Sequence, residues 1–308
     1  MPGLETFALL LAGLLLILTL PSLKPRYAII GFAGLSGSLV AAGYLAFFVG
    51  QWLFDGPSLA VLLSPVFIVL LSNTLIAADQ RRRESEQLLQ NSREEAARIN
   101  GELDAARRIQ MGLLPDPQQI FAGETRFSVA ALLEPARAIG GDYYDCFMLN
   151  DRQLCLVIGD VSGKGVPASL FMAISKTLTG TLTRQNADLA QAVRHLESEL
   201  DRANPECLFV TAFMGILDVD SGRLDYVCAG HDAPIVLRNG QLSRIDAAQL
   251  GGPPLCALGD YAFESAGAQL QAGDLLCLYT DGVTEAHRGT ELFGGKRLEQ
   301  TLLAIGEQ

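Results

Sequence analysis

The first 78 residues carry only four charged side chains, Glu5, Lys24, Arg26 and Asp55, two of each sign. They leave three uncharged runs, 6–23, 27–54 and 58–78. Each run approaches or exceeds the roughly 20 residues an α-helix needs to cross a bilayer core. In hydrocarbon a segment must satisfy its own backbone polar groups, so helices are the expected form. The middle run is long enough to tilt. Lys24 and Arg26 fall in the first connection, Asp55 in the second, and Arg81, Arg82 and Arg83 just past the third. By the positive-inside rule this puts the N-terminus outside and everything after residue 78 inside, the pattern of a multi-pass membrane protein in contact with lipid. A cleaved signal peptide is the competing reading of the first run, but that run begins with Glu5 and no Lys or Arg. Gly31, Gly34, Gly37 and Gly43 either allow close helix approach or are incidental, because glycine is common in spanning helices.

From Asp79 the composition changes to Arg, Glu, Gln and Ala, and the whole formal net charge of −11 lies in this later part. Without a basic cluster, an acidic chain excludes nucleic acid as a partner, whose phosphates require a Lys/Arg surface. Residues 79–111 contain no Pro and a single Gly at 101, which predicts a charged helix continuing from the third span. Leu89, Ala96, Ile99, Leu103 and Ala106 follow steps of three and four residues, with Ser92 at one seam position. That is either a short coiled-coil seam forming a homodimer or one face of a solvated spacer helix. Pro115 and Pro117 end the helix, because proline lacks the donor and its ring clashes with the preceding turn. The expected domains are therefore 1–78 spanning helices, 79–115 linker, and 116–308 a globular domain.

In that last region short apolar runs predict strands at 127–133, 153–158, 208–217, 224–228, 235–237 and 275–279. Turn signals separate several of them, as in an antiparallel meander. Two amphipathic helices, 167–183 and 189–203, interrupt them, the first with Pro167 in its first turn and the second with Asp188 as N-cap. Strands in hairpins with separate helices define an α+β class. The six cysteines are widely spaced with no CxxC pair and mostly lie in apolar runs, as reduced core thiols do.

Three acidic clusters stand at strand ends beside glycine: 140–145 (GGDYYD), 159–165 (GDVSGKG) and 279–282 (YTDG). Any one Asp-Gly pair can be a plain turn. Three of them, each near an apolar strand, point instead to carboxylates gathered around divalent cations, since hard oxygen donors suit Mg²⁺ or Mn²⁺. The 159–165 segment is one residue short of a P-loop, with Gly165 where Ser or Thr would bind Mg²⁺. Neither a GxSxG elbow nor an HExxH pair occurs. His195 falls on the polar side of its helix. His231, in the AGHD string after a strand, is either a hydrogen-bonded structural histidine or one that orients a loop near the site. His287 is either a surface residue or a neighbour of the metals.

In order, 106–115 (ARRIQMGLLP), GGDYYD, GDVSGKG, 229–231 (AGH), 279–286 (YTDGVTEA) and 292–294 (LFG) resemble the successive signatures of SpoIIE/RsbU-type serine/threonine phosphatases of the PPM family. The resemblance covers about two thirds of the chain. It implies an α/β/β/α sandwich of two antiparallel sheets flanked by helices, with a two-ion Mn²⁺ or Mg²⁺ site between the sheet ends. It further implies that Asp160 bridges the ions, the Val161 carbonyl binds one, Asp281 binds the other, and Asp142 acts directly or through water. The activity implied is hydrolysis of phosphoserine or phosphothreonine on a signalling protein, a STAS-domain anti-sigma-factor antagonist in many relatives, by a metal-activated water attacking in line. Eukaryotic relatives carry a proton-donating histidine two residues after the bridging aspartate, and that place is Ser162. Family members continue past the LFG segment through a helix and a final strand with an Asp-Asp pair that supplies another ligand. A chain stopping at Gln308 is thus expected to lack the C-terminal part of the fold and one carboxylate, with a catalytically impaired, partner-binding pseudophosphatase as the alternative reading. Three spans followed by a helix resemble the end of receptors that begin with an extracellular CHASE-type sensor.

Overall fold

The computed structural model describes residues 2–49, 51, 53–136, 138–186, 188–245, 251–259 and 261–306. The chain divides into two compact units, Met1–Arg98 and Ile99–Gln308.

The first unit contains α1 (Pro2–Thr19), a 3₁₀ turn (Leu20–Ser22), α2 (Pro25–Phe48) and the first part of α3 (Gly56–Leu113). Pro25 opens α2, where its missing N–H costs nothing. Asp55 Oδ1 accepts from the Ser58 backbone N–H at 3.1 Å and so caps α3. The predicted second span ran to 54, but α2 stops at Phe48. Ala12, Leu16, Leu20, Ala28, Leu63 and Phe67 form the interior, and the Phe32 and Phe67 rings stack at 4.0 Å. The glycines divide as follows. A Cβ on Gly43 would come within 2.9 Å of the Phe54 carbonyl and one on Gly56 would overlap the Leu39 carbonyl, whereas nothing lies within 4 Å of a Cβ at Gly31, Gly34 or Gly37. Leu10, Leu14, Leu18, Ile30, Phe47 and Phe48 point outward. Among the described residues, three helices are long and apolar enough to cross a membrane.

In the second unit α3 runs on to Leu113, and Asp116 caps the short α4 (Pro117–Ile120) by accepting from the Gln118 N–H. There follow β1 (Tyr143–Met148), β2 (Gln153–Val161), α5 (Val166–Gln185), α6 (Leu189–Arg202), β3 (Val210–Asp218), β4 (Arg223–Ala229), β5 (Ile235–Arg238), β6 (Gln241–Arg244), β7 (Ala266–Gln269), β8 (Leu275–Cys277), α7 (Asp281–Thr284), β9 (His287–Arg288), β10 (Glu291–Leu292) and α8 (Gly294–Gly306). A five-stranded sheet has the order β1-β2-β3-β4-β7, a three-stranded sheet the order β6-β5-β8, and β9 pairs with β10. All strand pairs are antiparallel.

Alternation along β3 builds the layers. Met214 faces the cluster formed with Met172, Phe171, Val193, Leu196 and Leu200 of α5 and α6. Phe213 faces the opposite way, with Leu224, Tyr226 and Val236, toward the second sheet. On the far side Leu298 and Leu302 of α8 pack on Ile235 and Tyr279. The result is the expected α/β/β/α sandwich. Burying both faces of a sheet in this way removes roughly 25 cal/mol of unfavourable hydration per Å² of apolar surface.

Two expectations fail locally. Residues 127–133 form no strand: consecutive apolar residues cannot all face one side of a pleat, Leu132 is 85% exposed, and Phe127 packs edge-on against Phe121. The first strand is β1, within the GGDYYD segment. It buries Asp145, paired with Lys176 of α5 at 3.1 Å. All six cysteines are free, with Cys146, Cys155 and Cys228 buried but Cys207 exposed.

Candidate active site

Asp160 lies one residue before the end of β2, opposite Thr211 of β3. The glycine before it has a packing cause: Tyr143, fully buried and paired with Gly159, lays its ring where a Cβ at 159 would sit, 2.6 Å from the ring atoms. Gly141 has another. A Cβ there would stand 2.6 Å from the Val161 carbonyl oxygen and 3.2 Å from Asp160 Oδ1, so only glycine lets this backbone pack so closely against the end of β2. At Gly282 a Cβ would lie 3.2 Å from Asp142 Oδ2.

Burial, then the neighbouring Asp142 carboxyl, then the charge of Asp281, push the Asp160 carboxyl up to about 8. Asp281, at the start of α7, is also raised, by burial and then by the charges of Glu285, Asp142 and Asp232. Thr280 Oγ1 donates to Asp142 Oδ2 at 3.1 Å, fixing that carboxylate from the opposite side of the site. The chain thus brings 142, 160 and 281 into electrostatic range of one another. Asp232 and Glu285 are two further acidic neighbours that sequence reasoning passed over. The signals were available: Asp232 follows the AGH string, and Glu285 lies one helical turn after Asp281.

The donor set is all oxygen, which suits Mg²⁺ or Mn²⁺ rather than a soft metal. Neighbouring carboxyl groups that raise one another, beside a backbone carbonyl, are the kind of donors a hard cation compensates. Among the described residues, however, no three His, Cys, Asp or Glu side chains are set to hold a single ion. The fit is therefore to a shared pair plus a backbone oxygen, with the third carboxylate alongside.

His231 is held by two ring contacts, Nδ1 to Thr211 Oγ1 at 3.0 Å and Nε2 to the Tyr279 carbonyl at 3.1 Å, and burial lowers its pKa. His195 and His287 are exposed. Ser162 Oγ accepts from the Phe209 N–H at 2.9 Å, and the Ser162 N–H donates to the Phe209 carbonyl at 2.8 Å, so this residue extends the β2–β3 ladder. Behind the site, Gln110 of α3 is 4% exposed and uses both ends of its amide on Gly140, donating to its carbonyl at 2.6 Å and accepting from its N–H at 3.3 Å. Tyr144 Oη donates to the Pro115 carbonyl at 3.0 Å.

This architecture is that of PP2C domains: the SiaA PP2C domain of Pseudomonas aeruginosa superposes with a TM-score of 0.56 at 22% identity, over 69% of this chain and 85% of that one. The RsbU and RsbW domains of a Mycobacterium tuberculosis protein superpose with a TM-score of 0.50 at 27% identity, over 56% of this chain and 48% of that one. The chain belongs to the SpoIIE (stage II sporulation protein E) family, whose model matches residues 150–308 and so includes Asp160, Val161 and Asp281. Among curated relatives, protein IcfG of Synechocystis is 31% identical over 236 residues, 66% of this chain and 36% of its own length. Phosphoserine phosphatase RsbU of Bacillus subtilis is 28% identical over 189 residues, 61% of this chain and 54% of its own length. The matched part thus spans between about a third and a half of these curated relatives.

Proposed function

We propose that the chain is a membrane-anchored, metal-dependent protein serine/threonine phosphatase that dephosphorylates a bacterial signalling protein. The observation that carries this reading is the gathering of Asp142, Asp160 and Asp281 within electrostatic range of one another. Membership in the SpoIIE family and likeness to a phosphoserine phosphatase support it. Asp160 would bridge two ions, with the Val161 carbonyl on one, Asp281 on the other, and Asp142 in direct or water-mediated contact. Bound Mn²⁺ or Mg²⁺ would supply a nucleophilic water at neutral pH and neutralise the phosphoryl oxygens. The chain's own part is to orient these donors. Thr280 holds Asp142 beside Asp160. Ser162 has its oxygen engaged by Phe209 and is a weak acid, so protonation of the leaving alkoxide falls to water.

The substrate on this reading is phosphoserine or phosphothreonine on a STAS-domain anti-sigma-factor antagonist, and the likeness to a phosphoserine phosphatase supports the first. The three apolar helices would cross the bacterial cytoplasmic membrane, with the second unit in the cytoplasm. Leu89, Ala96 and Ile99 of the linker seam are exposed, as a homodimer through α3 requires. One observation favours a second reading, a partner-binding pseudophosphatase: the described residues hold no three-ligand cluster. The full chain in detergent, assayed with Mn²⁺ and an aryl phosphate, separates the two. Hydrolysis that disappears in Asp160→Ala supports the enzyme. Absence of hydrolysis in both, with retained capture of the phosphorylated partner, supports the binder.

A further inference from the structure

His231 follows β4 directly, and its imidazole meets two segments from different parts of the fold. A carbonyl can only accept, so Nε2 carries the proton donated to Tyr279, and Nδ1 of the neutral ring accepts from the Thr211 hydroxyl. Thr211 is the cross-strand partner of Asp160, and directly opposed residues share a face of the sheet. Tyr279 leads into Thr280, which holds Asp142, and into Asp281. Both ring nitrogens are therefore used on ties, one to the strand pair that presents Asp160 and Val161, the other to the segment that presents Asp281.

The backbone beneath the ring is itself fixed. Gly230 has φ +64° and donates to the Gly252 carbonyl at 2.8 Å, a Cβ on it would strike the Pro254 ring at 2.7 Å, and Cys228 Sγ donates to the His231 carbonyl at 3.2 Å. The histidine is thus a rigid spacer between two strand ends from different sheets. Besides it, the Thr280–Asp142 hydrogen bond links the same two sides of the site.

We infer that His231 is a positioning residue that sets the distance between the Asp160–Val161 strand end and Asp281, and through it the affinity of the site for its cations. The inference rests on the phosphatase reading above. Small hard cations demand near-ideal ligand geometry, so a loosened Asp281 segment weakens binding even though every ligand remains.

The test measures Mn²⁺ binding to the full chain in detergent by calorimetry, with His231→Phe, His231→Gln and Asp160→Ala beside the wild type. His231→Phe keeps the bulk and loses both hydrogen bonds, and its Mn²⁺ affinity is expected to fall about tenfold. The amide nitrogen of His231→Gln reaches the Nε2 position, so affinity should return to within about threefold of wild type. Hydrolysis at saturating Mn²⁺ should change less than Mn²⁺ affinity does. Wild-type affinity in His231→Phe, or equal losses in the Phe and Gln variants, overturns the inference. Should His231→Phe not fold, Thr211→Val removes the Nδ1 partner alone, and unchanged affinity there overturns it equally. A wild-type chain that binds no Mn²⁺, or binding that Asp160→Ala leaves intact, refutes the phosphatase reading and this inference together. Binding lost in Asp160→Ala but intact in His231→Phe refutes the inference alone.

Discussion

Without a cation, Asp160 keeps its proton at neutral pH, because burial and the neighbouring Asp142 hold its carboxyl at about 8. In an unfolded chain the same group titrates near 4. Between these values the folded state binds a proton that the unfolded state has lost, so the stability of the metal-free chain falls as pH rises from about 4 through 8. Asp160→Asn should remove that loss. In EDTA at pH 8.5 the variant is expected to be more stable by roughly 1 kcal/mol once solvent screening is allowed for. That corresponds to about 2–4 °C in Tm. Added Mn²⁺ should raise the Tm of the wild type and not of the variant, which paired thermal melts would check. These aspartates were legible in the sequence because a carboxylate ending an apolar strand next to glycine has few packing explanations. The glycine at 159 proved to serve Tyr143 as well. Thr280 and the two partners of His231 were not legible, since their contacts join segments 20 to 138 residues apart.

The connection between α3 and the GGDYYD segment belongs to the scale of elements. Gln110 stands in for a backbone partner of Gly140, next to the glycine that packs against Val161, and Tyr144 ties the same segment to Pro115. Gln110→Leu keeps the volume but leaves a buried N–H and carbonyl unpaired, at a cost of about 2–4 kcal/mol. The expected result is a lower denaturation midpoint together with roughly tenfold weaker hydrolysis at saturating Mn²⁺, read by urea titration and steady-state kinetics. If hydrolysis is unchanged while stability falls, the helix does not control the site through this residue. The helices and the long central strands were visible from periodicity and capping: Asp188 accepts from the Ala190 N–H as its position predicted. β1 was missed because its buried Asp145 looks like a surface residue until Lys176 arrives from α5. The 127–133 run was mistaken for a strand because hydrophobicity alone does not supply a ladder partner.

At the scale of the whole chain, a unit with almost no charge before Asp79 is joined through α3 to a strongly acidic one. If the apolar helices cross the membrane as proposed, the exposed Cys207 reports which side the second unit occupies. A membrane-impermeant maleimide should label Cys207 in inside-out vesicles and leave it unlabelled in right-side-out ones, with Cys207→Ser as the control. Labelling in right-side-out vesicles would reverse the topology. The tight packing at Gly141 bears on how such a molecule can diverge. A single methyl group there would press on the Val161 carbonyl and the Asp160 carboxylate at once, while the net charge and the rest of the surface stayed as they are. Glycine and alanine codons differ by one nucleotide, so one point mutation separates this geometry from one in which both donors are displaced.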